Sequence, residues 1–506
     1  MVVPITEHNA SDAVSRLAGS RPALIWRRQI ADTETPVAAA LKLIEPGRGD
    51  FLLESVEGGA TRGRYSLIGL APDLVFRAHG HDAAINRHWA SDRSAFVPEQ
   101  AGALDALRAL VAECRAEMDP ALPPALACLV GYFGYETVGL VEKLPRPAPN
   151  AIGLPDMLFV RPTVILVFDR LADALYIVAP VWKGSFTDAD QAVDAALERI
   201  DATAARLAAP LPTLPAPTDI ADIAVTPVLE PGRYAQMVEA AKDYIVAGDI
   251  FQVVLAQRFT SPFTLPPIAL YRALRRINPS PFLYYLDLPG FALIGSSPEI
   301  LVRARDGEVT IRPIAGTRPR GKSAVEDAAN RESLLADPKE RAEHLMLLDL
   351  GRNDVGRVAS AGSVTVTESY TVEFYSHVMH IVSNVVGRLA DDKDAIDALF
   401  AGFPAGTVSG APKVRACEII AQLEPETRGA YAGGVGYFGP DGNMDSCIVL
   451  RTAVLKDGVM HVQAGAGIVA DSNADYEQRE CEAKSGALLA AAREAVAIAR
   501  EAGFGQ

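Results

Sequence analysis

The chain has 506 residues, of which 49% are hydrophobic and 22% are charged. This composition excludes an intrinsically disordered chain and a coiled coil, and the length allows two or three domains. The formal net charge of −15 argues against non-specific binding to nucleic acid and against binding to an anionic membrane. A small anionic ligand would have to be held by local cations or by a metal ion.

Predicted helices and strands alternate in the first part of the chain. Helices are predicted at 104–118 and 188–207, and strands at 161–168 and 174–179. Five prolines between 210 and 227 then predict an extended linker, because proline can neither continue a helix nor donate to a strand ladder. We therefore divide the chain into an N-terminal domain (1–206), a proline-rich linker (207–227) and a C-terminal domain (228–506).

Strands and hairpins dominate the C-terminal part. A helix is predicted at 234–247, strands at 253–259 and 282–286, and a strand pair at 292–295 and 301–305. Three apolar runs, 434–438, 447–455 and 459–463, are separated by the turn sequences PDGN and KDG, which predicts an antiparallel meander. A helix from 474 to 500 closes the chain. This clustering favours an α+β fold over a doubly wound parallel sheet.

Two predicted helices each carry a pair of glutamates whose members are three residues apart. Glu340 and Glu343 lie in the helix predicted at 337–350, and Glu477 and Glu480 lie in the last helix, where Lys484 follows Glu480 by four residues. Residues at this spacing share a helix face. Solvated acidic stripes would explain both pairs. Four converging carboxylates, by contrast, would repel one another unless a divalent cation lay between them, and Mg²⁺ is held by one or two carboxylates directly and by others through water.

Three further features have both a structural and a functional interpretation. Gly465 and Gly467 end a predicted strand and either form a flexible turn or aim N–H groups at an anion. Arg451 stands in an apolar run, mid-strand in our prediction, and needs a carboxylate or phosphate partner. His380 alternates with apolar residues and is either a core histidine or a general base.

Several segments of the C-terminal domain resemble the chorismate-utilising enzymes. In chain order they are PIAGTRPRG (313–321), ERAEHLMLLDLGRND (340–354), YSHVMH (375–380), AGTVSGAPKVRA (405–416), RGAYAGGVGY (428–437) and QAGAGIVADSNADYEQRECEAK (463–484). The resemblance implies a sandwich of antiparallel β-sheets wrapped by helices, with the site in a cleft between them.

Within that family the chain is most similar to the anthranilate synthase component I branch. FLLES (51–55), RYSLIG (64–69) and NPSPFLYY (278–285) resemble a tryptophan feedback site. Ala315 stands where aminodeoxychorismate synthases carry a nucleophilic lysine. Gln252 stands where isochorismate and salicylate synthases carry a lysine that activates water. Neither side chain has a basic nitrogen for these tasks, which favours direct attack by ammonia.

The resemblance assigns roles to particular residues. It implies Mg²⁺ on Glu343 and Glu480, with Glu340 and Glu477 in the outer shell. It implies Glu299 as a catalytic acid, His380 and Thr407 near a proton transfer, and Lys484 beside the acidic cluster or the substrate. Substrate would be held by Gly316, Thr317, Tyr431, Arg451, Gly465, Ala466 and Gly467. Tryptophan would be held by Glu54, Ser55, Pro281, Phe282, Leu283 and Tyr437.

The implied reaction converts chorismate and ammonia to anthranilate and pyruvate, the first step of tryptophan biosynthesis, with feedback inhibition by L-tryptophan. The chain shows no glutaminase nucleophile, so the family's separate glutamine amidotransferase subunit would supply ammonia, in a heterotetramer of two large and two small subunits. Aminodeoxyisochorismate synthase and aminodeoxychorismate synthase remain as alternatives, and a non-catalytic tryptophan-binding regulator is a distant one.

The sequence also bears on the location of the protein. The five cysteines are widely spaced, with no pairing typical of a zinc site or a disulfide framework: Cys114, Cys128, Cys417, Cys447 and Cys481. The first twenty residues lack the apolar core of a secretory signal, and no apolar stretch is long enough to span a bilayer. We therefore expect a reduced, cytoplasmic protein.

Overall fold

The computed structural model describes residues 6–8, 10–57, 61–145, 148–184, 186, 188–212, 220–375 and 378–501. The helices in these ranges are α1 (Ala10–Ala18), α2 (Pro36–Leu43), α3 (Ala103–Glu113), α4 (Ala189–Ala208), α5 (Arg233–Val246), α6 (Pro267–Ile277), α7 (Ala324–Ala336), α8 (Pro338–Gly356), α9 (Ala395–Gly402), α10 (Lys413–Leu423) and α11 (Ala474–Ala499). Short 3₁₀ helices cover Tyr135–Leu140 and Gly406–Val408.

The strands occur in runs between these helices. From the N-terminus they are β1 (Thr6–His8), β2 (Ala23–Ile30), β3 (Asp50–Glu57), β4 (Thr61–Leu70), β5 (Leu74–His79), β6 (Asp82–Asn86), β7 (Val97–Pro98), β8 (Leu129–Phe133), β9 (Met157–Arg161), β10 (Val164–Asp169), β11 (Ala174–Val181) and β12 (Thr226–Pro227). They continue as β13 (Gln252–Pro262), β14 (Phe282–Leu288), β15 (Phe291–Ser297), β16 (Ile300–Arg305), β17 (Glu308–Ile311), β18 (Ile314–Pro319), β19 (Thr365–Phe374), β20 (Val378–Arg388), β21 (Gly410–Ala411), β22 (Gly434–Phe438), β23 (Met444–Ile448), β24 (Thr452–Lys456) and β25 (Val459–Ile468).

These strands form two large antiparallel sheets. Within the described ranges the first sheet has 13 strands in the order β1-β2-β11-β10-β4-β3-β14-β15-β24-β25-β13-β12, with β21 added beside β13. The second has 12 strands in the order β18-β20-β17-β16-β23-β22-β8-β9-β5-β6-β7, with β19 added beside β20. The sequence prediction of an α+β sandwich of antiparallel sheets with helices is confirmed.

Alternating side chains place the first sheet between two apolar layers. Along β14, Tyr284 and Leu286 belong to the central core, whereas Leu283 and Tyr285 belong to a second core that includes side chains of α1, α2, α4, α6 and α11. This alternation follows from the two-residue period of a strand. The apolar residues of both faces are therefore buried, and the sheet is covered by helices on its outer side.

Both sheets contain strands from before and after the proline-rich segment. β3 pairs with β14 in the first sheet, and β8 pairs with β22 in the second. The two parts of the chain thus share both sheets, and the division at 206 and 228 into separate domains stays a prediction. Of the predicted linker, residues 213–219 lie outside the described residues.

The predicted meander near the C-terminus is wrong in one respect. Its middle run, 447–455, is two strands rather than one: β23 pairs with β22 and β16 in the second sheet, whereas β24 pairs with β15 and β25 in the first. Arg451 is therefore not mid-strand. It occupies the connection between the sheets with a φ of 48°. The two flanking hairpin turns are where the PDGN and KDG sequences predict them.

The predicted strand pair 292–295 and 301–305 is also wrong as a pair. β15 belongs to the first sheet and β16 to the second, so the chain crosses between the sheets at Ser297–Glu299. This crossing lies beside the one at Arg451, because β15 pairs with β24 and β16 pairs with β23. Predicted strand 161–168 is likewise two strands, β9 and β10, separated by Pro162 and Thr163.

In the described parts of the chain, no helix combines the length and hydropathy needed to cross a membrane. All five cysteines are free and buried.

Candidate active site

The first crossing between the sheets places Glu299 inside the protein. The residue is 7% exposed, and its backbone carbonyl accepts a hydrogen bond from the amide of Ile448 in the neighbouring crossing, at 3.1 Å. Burial raises the pKa of Glu299 to about 8, and hydrogen bonds from Thr407 and from the backbone of Ile314 oppose the shift. The carboxyl group is therefore predominantly protonated at neutral pH and able to donate a proton.

Thr407 approaches Glu299 from the 3₁₀ turn Gly406–Val408. Its hydroxyl donates to the carboxyl Oε1 of Glu299 at 3.2 Å. Arg428 holds the same turn, since it donates to the carbonyl of Val408 at 2.7 Å. Arg428 is 2% exposed and also forms a two-pronged ion pair with Glu424. The sequence includes Arg428 in the segment RGAYAGGVGY without predicting a role for it.

A bulge in β18 fixes the imidazole of His380. The pairing of β18 with β20 shifts register between Ala315 and Thr317, and Gly316 sits at the shift with a φ of 70°. A left-handed glycine is a common feature of such bulges. The carbonyl of Gly316 lies 2.9 Å from Nδ1 of His380, and the Thr317 hydroxyl lies 3.1 Å from the same atom.

The state of His380 follows from these contacts. Because the Gly316 carbonyl can only accept, Nδ1 carries a proton, and in the neutral ring Nε2 keeps its lone pair. Burial lowers the pKa of His380, the Gly316 carbonyl opposes this, and the charge of Arg451 lowers the pKa further. The imidazole is thus neutral near pH 7 and can accept a proton at Nε2.

Tyr375 is a site residue that sequence reasoning missed, although it lies in the segment YSHVMH. Its ring packs edge-on against His380, with 5.3 Å between the centroids, and its hydroxyl donates to Glu373 at 2.9 Å. The charge of Glu299 helps to raise the pKa of Tyr375. Tyr375 therefore forms one wall of the space near Glu299 and His380.

Arg451 supplies positive charge to the same region from the second crossing. Its backbone carbonyl accepts from the amide of Ser296 at 3.2 Å. Among the described residues its guanidinium has no carboxylate partner and no hydrogen bond, and burial lowers the pKa of Arg451. A half-buried guanidinium without a partner is suited to bind the carboxylate of a ligand.

Tyr431 and the glycine-rich end of β25 face one another. The phenol of Tyr431 lies so close to Gly465 that a Cβ on the glycine would be 2.8 Å from its oxygen. The carbonyl of Gly465 is already taken, because Lys484 donates to it at 2.9 Å. Ala466 and Gly467 pair with β13, opposite Leu255 and Val254. The structure thus brings Tyr431, Gly465 and Lys484 close to one another.

The four predicted carboxylates lie on α8 and α11, and the charge of Glu480 on α11 acts on Glu343 of α8. Glu340 is paired with Arg318 at 3.0 Å, and Glu480 with Lys484 at 2.7 Å. Burial raises the pKa of Glu343, and the charges of Glu340 and Glu480 raise it further, whereas Lys484 lowers it. Burial also raises the pKa of Glu477, which is 7% exposed.

These carboxylates fit a hard divalent cation by their chemistry. Glu343 has no salt bridge among the described residues, and its neighbours add negative charge that raises its pKa. As the side chains stand, no group of three or more His, Cys, Asp or Glu residues in the described ranges is close enough to hold a metal ion. Magnesium needs fewer direct protein ligands than that, because it keeps several of its waters.

A separate cavity of about 450 Å³ lies away from these residues, where the two sheets bring N-terminal and C-terminal strands together. It is lined by five of the residues predicted to bind tryptophan, Glu54, Ser55, Phe282, Leu283 and Tyr437. Arg64 of the segment RYSLIG also lines it, as do Arg303 and Asp445, which the sequence did not indicate. Pro281 precedes β14 and does not line the cavity. The volume is in the range of pockets for small organic ligands.

The two acidic residues that line this cavity, Glu54 and Asp445, already have partners in the structure. The carboxylate of Glu54 is already engaged, because Arg275 donates to it at 2.6 and 3.0 Å and Tyr271 donates at 2.6 Å. If Glu54 is to bind the ammonium group of tryptophan, that group has to compete with Arg275 for the carboxylate. Asp445 is the second acidic group, and it accepts from Arg303 at 2.6 Å and from Tyr437 at 2.9 Å.

Comparison with known proteins gives consistent results over most of the chain. Residues 51–490 match the family model of chorismate binding enzymes. The chain is 53% identical over 487 residues to anthranilate synthase component 1 of Cereibacter sphaeroides, covering 95% of this chain and 97% of the relative. It is 48% identical over 464 residues to the component 1 of Thermus thermophilus, covering 91% and 96%.

Solved structures resemble the fold. Anthranilate synthase component I from Streptococcus pneumoniae superimposes with a TM-score of 0.76 at 36% identity, covering 84% of this chain and 92% of the other. The menaquinone-specific isochorismate synthase from Escherichia coli superimposes with a TM-score of 0.70 at 19% identity, covering 96% and 100%, which supports the fold alone.

Proposed function

The chain belongs to the chorismate binding enzyme family, and we propose that it is the aminating subunit of an anthranilate synthase. It is an enzyme acting on chorismate, a lyase. The observation that carries the proposal is the 53% identity to a component 1 protein over 95% of the chain. The balanced reaction is chorismate plus ammonia to anthranilate, pyruvate and water.

In the first step ammonia adds at ring position 2 while the hydroxyl at position 4 leaves. A leaving hydroxyl requires a proton, and Glu299 supplies it in our proposal. Support comes from the burial that raises its pKa to about 8, so that the carboxyl group holds a proton at neutral pH. The Thr407 hydrogen bond orients this carboxyl group, and general acids of this kind contribute about 10²–10⁴ in rate.

In the second step the C–O bond to the enolpyruvyl group breaks, this group leaves as the enolate of pyruvate and takes up one proton, and the ring loses its proton at position 2 and becomes aromatic. His380 accepts that proton at Nε2 in our proposal. The assignment rests on the Gly316 carbonyl at Nδ1, which leaves Nε2 with a lone pair, and on the lowered pKa of the imidazole. Tyr375 keeps the ring in position by packing against its edge.

Chorismate carries two carboxylates, which the net charge of the chain would repel. Arg451 and Tyr431 hold the carboxylate of the enolpyruvyl group, together with the backbone near Gly465, Ala466 and Gly467. Gly316 and Thr317 contact the ring. Support for Arg451 is its half-buried guanidinium, which has no acidic partner in the described chain.

We also propose that the enzyme depends on Mg²⁺. Glu343 and Glu480 would hold the ion, with Glu340 and Glu477 reached through water, and Lys484 would balance part of the acidic charge. When bound, such an ion neutralises the ring carboxylate and withdraws electron density from the ring. Burial raises the pKa of Glu343 and of Glu477, and the charge of Glu480 raises both further, which supports a cation beside these carboxyl groups.

Ammonia would come from a separate glutamine amidotransferase subunit, in a heterotetramer of two large and two small chains, in the cytoplasm. The name component 1 in the relatives supports a second component. We further propose that L-tryptophan inhibits the enzyme from the 450 Å³ cavity lined by Ser55, Phe282, Leu283 and Tyr437. Its lining combines apolar surface for an indole with several charged groups.

One assay tests the proposal. The purified chain is given chorismate, Mg²⁺ and ammonium, and anthranilate is followed by its fluorescence. We expect anthranilate with ammonium and none with glutamine alone. Accumulation of a non-aromatic aminated product would favour an aminodeoxyisochorismate or aminodeoxychorismate synthase instead. No turnover of chorismate, with tryptophan still bound, would favour a non-catalytic regulator.

A further inference from the structure

A buried histidine stands directly beside the candidate metal ligand Glu343. His344 is fully buried, and its Nε2 lies 2.7 Å from the hydroxyl of Ser383 on β20. Its Nδ1 has no hydrogen-bond partner among the described residues. Burial lowers the pKa of His344 to about 4, so the imidazole is neutral. Burying this ring with one unpaired nitrogen costs free energy, and the contacts of the ring with Ser383 and Tyr370 offset part of that cost.

The contact belongs to a closed set of polar interactions, which we name the His344 bridge: His344, Ser383, Tyr370 and the backbone carbonyl of Arg341. The Ser383 hydroxyl accepts from the amide of Tyr370 at 3.1 Å, and the Tyr370 hydroxyl donates to the Arg341 carbonyl at 3.2 Å. The rings of Tyr370 and His344 meet edge-on at 4.8 Å. The bridge therefore contacts α8 at two points: at His344 through Ser383, and at Arg341, about one turn earlier, through Tyr370.

The position of the bridge on α8 determines where its acidic residues point. Successive residues on a helix are separated by about 100° of rotation, so holding residue 344 fixes the directions of Glu343 beside it and of Glu340 one turn earlier. The partner strand is the same one that carries His380, three residues before Ser383. The bridge thus sets the α8 carboxylates relative to the candidate base.

We propose that His344 and Ser383 are positioning residues for the divalent cation: they hold α8 at the rotation in which Glu343 reaches the ion. This inference rests on the proposed magnesium dependence. It concerns residues that do not contact the ion themselves but orient a ligand, and loss of such partners typically weakens metal binding by about 10–100-fold.

The test measures metal binding rather than turnover. Mn²⁺, which prefers the same oxygen ligands as Mg²⁺, is titrated in the presence of chorismate and without ammonium, and free Mn²⁺ is read from its EPR signal. We expect Ser383→Ala and His344→Phe to raise the Kd for Mn²⁺ by about tenfold or more. His344→Gln, whose side-chain amide can still form a hydrogen bond with Ser383, should retain most of the affinity.

A matched control separates positioning from loss of stability. Val355 is fully buried near the other end of α8, and Val355→Ala should destabilise the protein with the Kd for Mn²⁺ unchanged. Wild-type affinity in both Ser383→Ala and His344→Phe would overturn the inference, as would an equal loss of affinity in Val355→Ala. If the wild-type protein itself binds no Mn²⁺, the proposed metal dependence fails and this inference fails with it.

Discussion

Glu299 and Arg451 occupy the two adjacent points at which the chain passes between the sheets. The carbonyl of Glu299 accepts from Ile448, just before the second crossing, and the carbonyl of Arg451 accepts from Ser296, just before the first. Each crossing is thus hydrogen-bonded to the other. A buried acid and a half-buried cation, far apart in sequence, are held at one place by backbone geometry, which suits a ligand that presents a leaving hydroxyl and a carboxylate together.

The role of Glu299 as an acid predicts the effect of an isosteric substitution. Glu299→Gln keeps the size of the side chain and an acceptor for the Thr407 hydroxyl but removes the transferable proton. We expect kcat/KM for anthranilate formation to fall by about 10²–10⁴, with the fold intact by circular dichroism. A loss of less than about threefold would contradict the assignment.

The same group predicts the pH dependence. Because Glu299 acts in its protonated form and its pKa is raised to about 8, kcat/KM should fall as the pH rises through about 8, at a constant concentration of free NH₃. The Thr407 hydrogen bond lowers this pKa, so in Thr407→Val the fall in kcat/KM should occur at higher pH. If the fall occurs at the same pH in Thr407→Val as in wild type, another group titrates.

The pKa shift also predicts a stability difference. The folded state binds the Glu299 proton more tightly than the unfolded state, whose carboxyl pKa is near the ordinary value of 4.5. The contribution of Glu299 to the free energy of unfolding therefore decreases as the pH rises from the ordinary carboxyl range to about 8. Urea unfolding should show Glu299→Gln gaining stability relative to wild type over that interval. A constant difference would mean that the carboxyl group titrates normally.

Metal dependence predicts that substituting the proposed metal ligands lowers activity, whereas substituting a nearby exposed glutamate does not. Excess chelator should abolish turnover, and Glu343→Gln or Glu480→Gln should each lose at least about 2.7–4 kcal/mol of transition-state stabilisation, the scale of one lost electrostatic contact. The exposed Glu482, on the same helix as Glu480, provides the control: Glu482→Gln should keep wild-type kinetics. Full activity in chelator would exclude the metal site.

The proposed role of His380 predicts a change of product. His380→Asn retains polarity but lacks a nitrogen that can accept a proton, so amination should proceed and loss of pyruvate should slow. Chromatography of the reaction should then show a non-aromatic aminated intermediate beside a reduced amount of anthranilate. Uniform loss of both products would instead place His380 before the amination step.

The sequence predicted the secondary structure around the site better than the connections that create it. The helices bearing Glu340, Glu343, Glu477 and Glu480 are where their patterns place them, because helix-capping residues such as Asp337 and Asn473 are local signals. The crossing at Arg451 was missed, because the apolar run from 447 to 455 is interrupted only by Arg451 and Thr452 and contains no glycine, proline or turn sequence. Only pairing with β16 in one sheet and β15 in the other separates the two strands.

Contacts between distant residues were likewise beyond local patterns. Nothing near Glu54 indicates that Arg275 would pair with its carboxylate, since α6 approaches β3 only in the tertiary structure. Gly316 could be predicted in part, because its segment was identified by resemblance. Its positive φ and its hydrogen bond to His380, however, follow from a bulge that depends on pairing with β20.

Occupation of the 450 Å³ cavity predicts feedback inhibition that can be separated from catalysis. The cavity joins β3, carrying Ser55, to β14, carrying Phe282 and Leu283, and to β22, carrying Tyr437. These strands come from both parts of the chain and from both sheets. A ligand bound there contacts both sheets at once. A coupling free energy of about 1–3 kcal/mol between this cavity and the candidate active site would suffice for inhibition.

Two substitutions at Ser55 distinguish filling of the cavity from damage to the sheet. The Ser55 hydroxyl lies against Gly63 of the neighbouring strand, where no Cβ would fit. Ser55→Phe should occupy cavity space and abolish inhibition by tryptophan, whereas Ser55→Ala removes one hydroxyl and should weaken inhibition only modestly. Both should keep wild-type kcat without tryptophan, since the cavity contains none of Glu299, His380 or Arg451. Calorimetry should show loss of tryptophan binding in Ser55→Phe, and inhibition as strong as in wild type would place the effector site elsewhere.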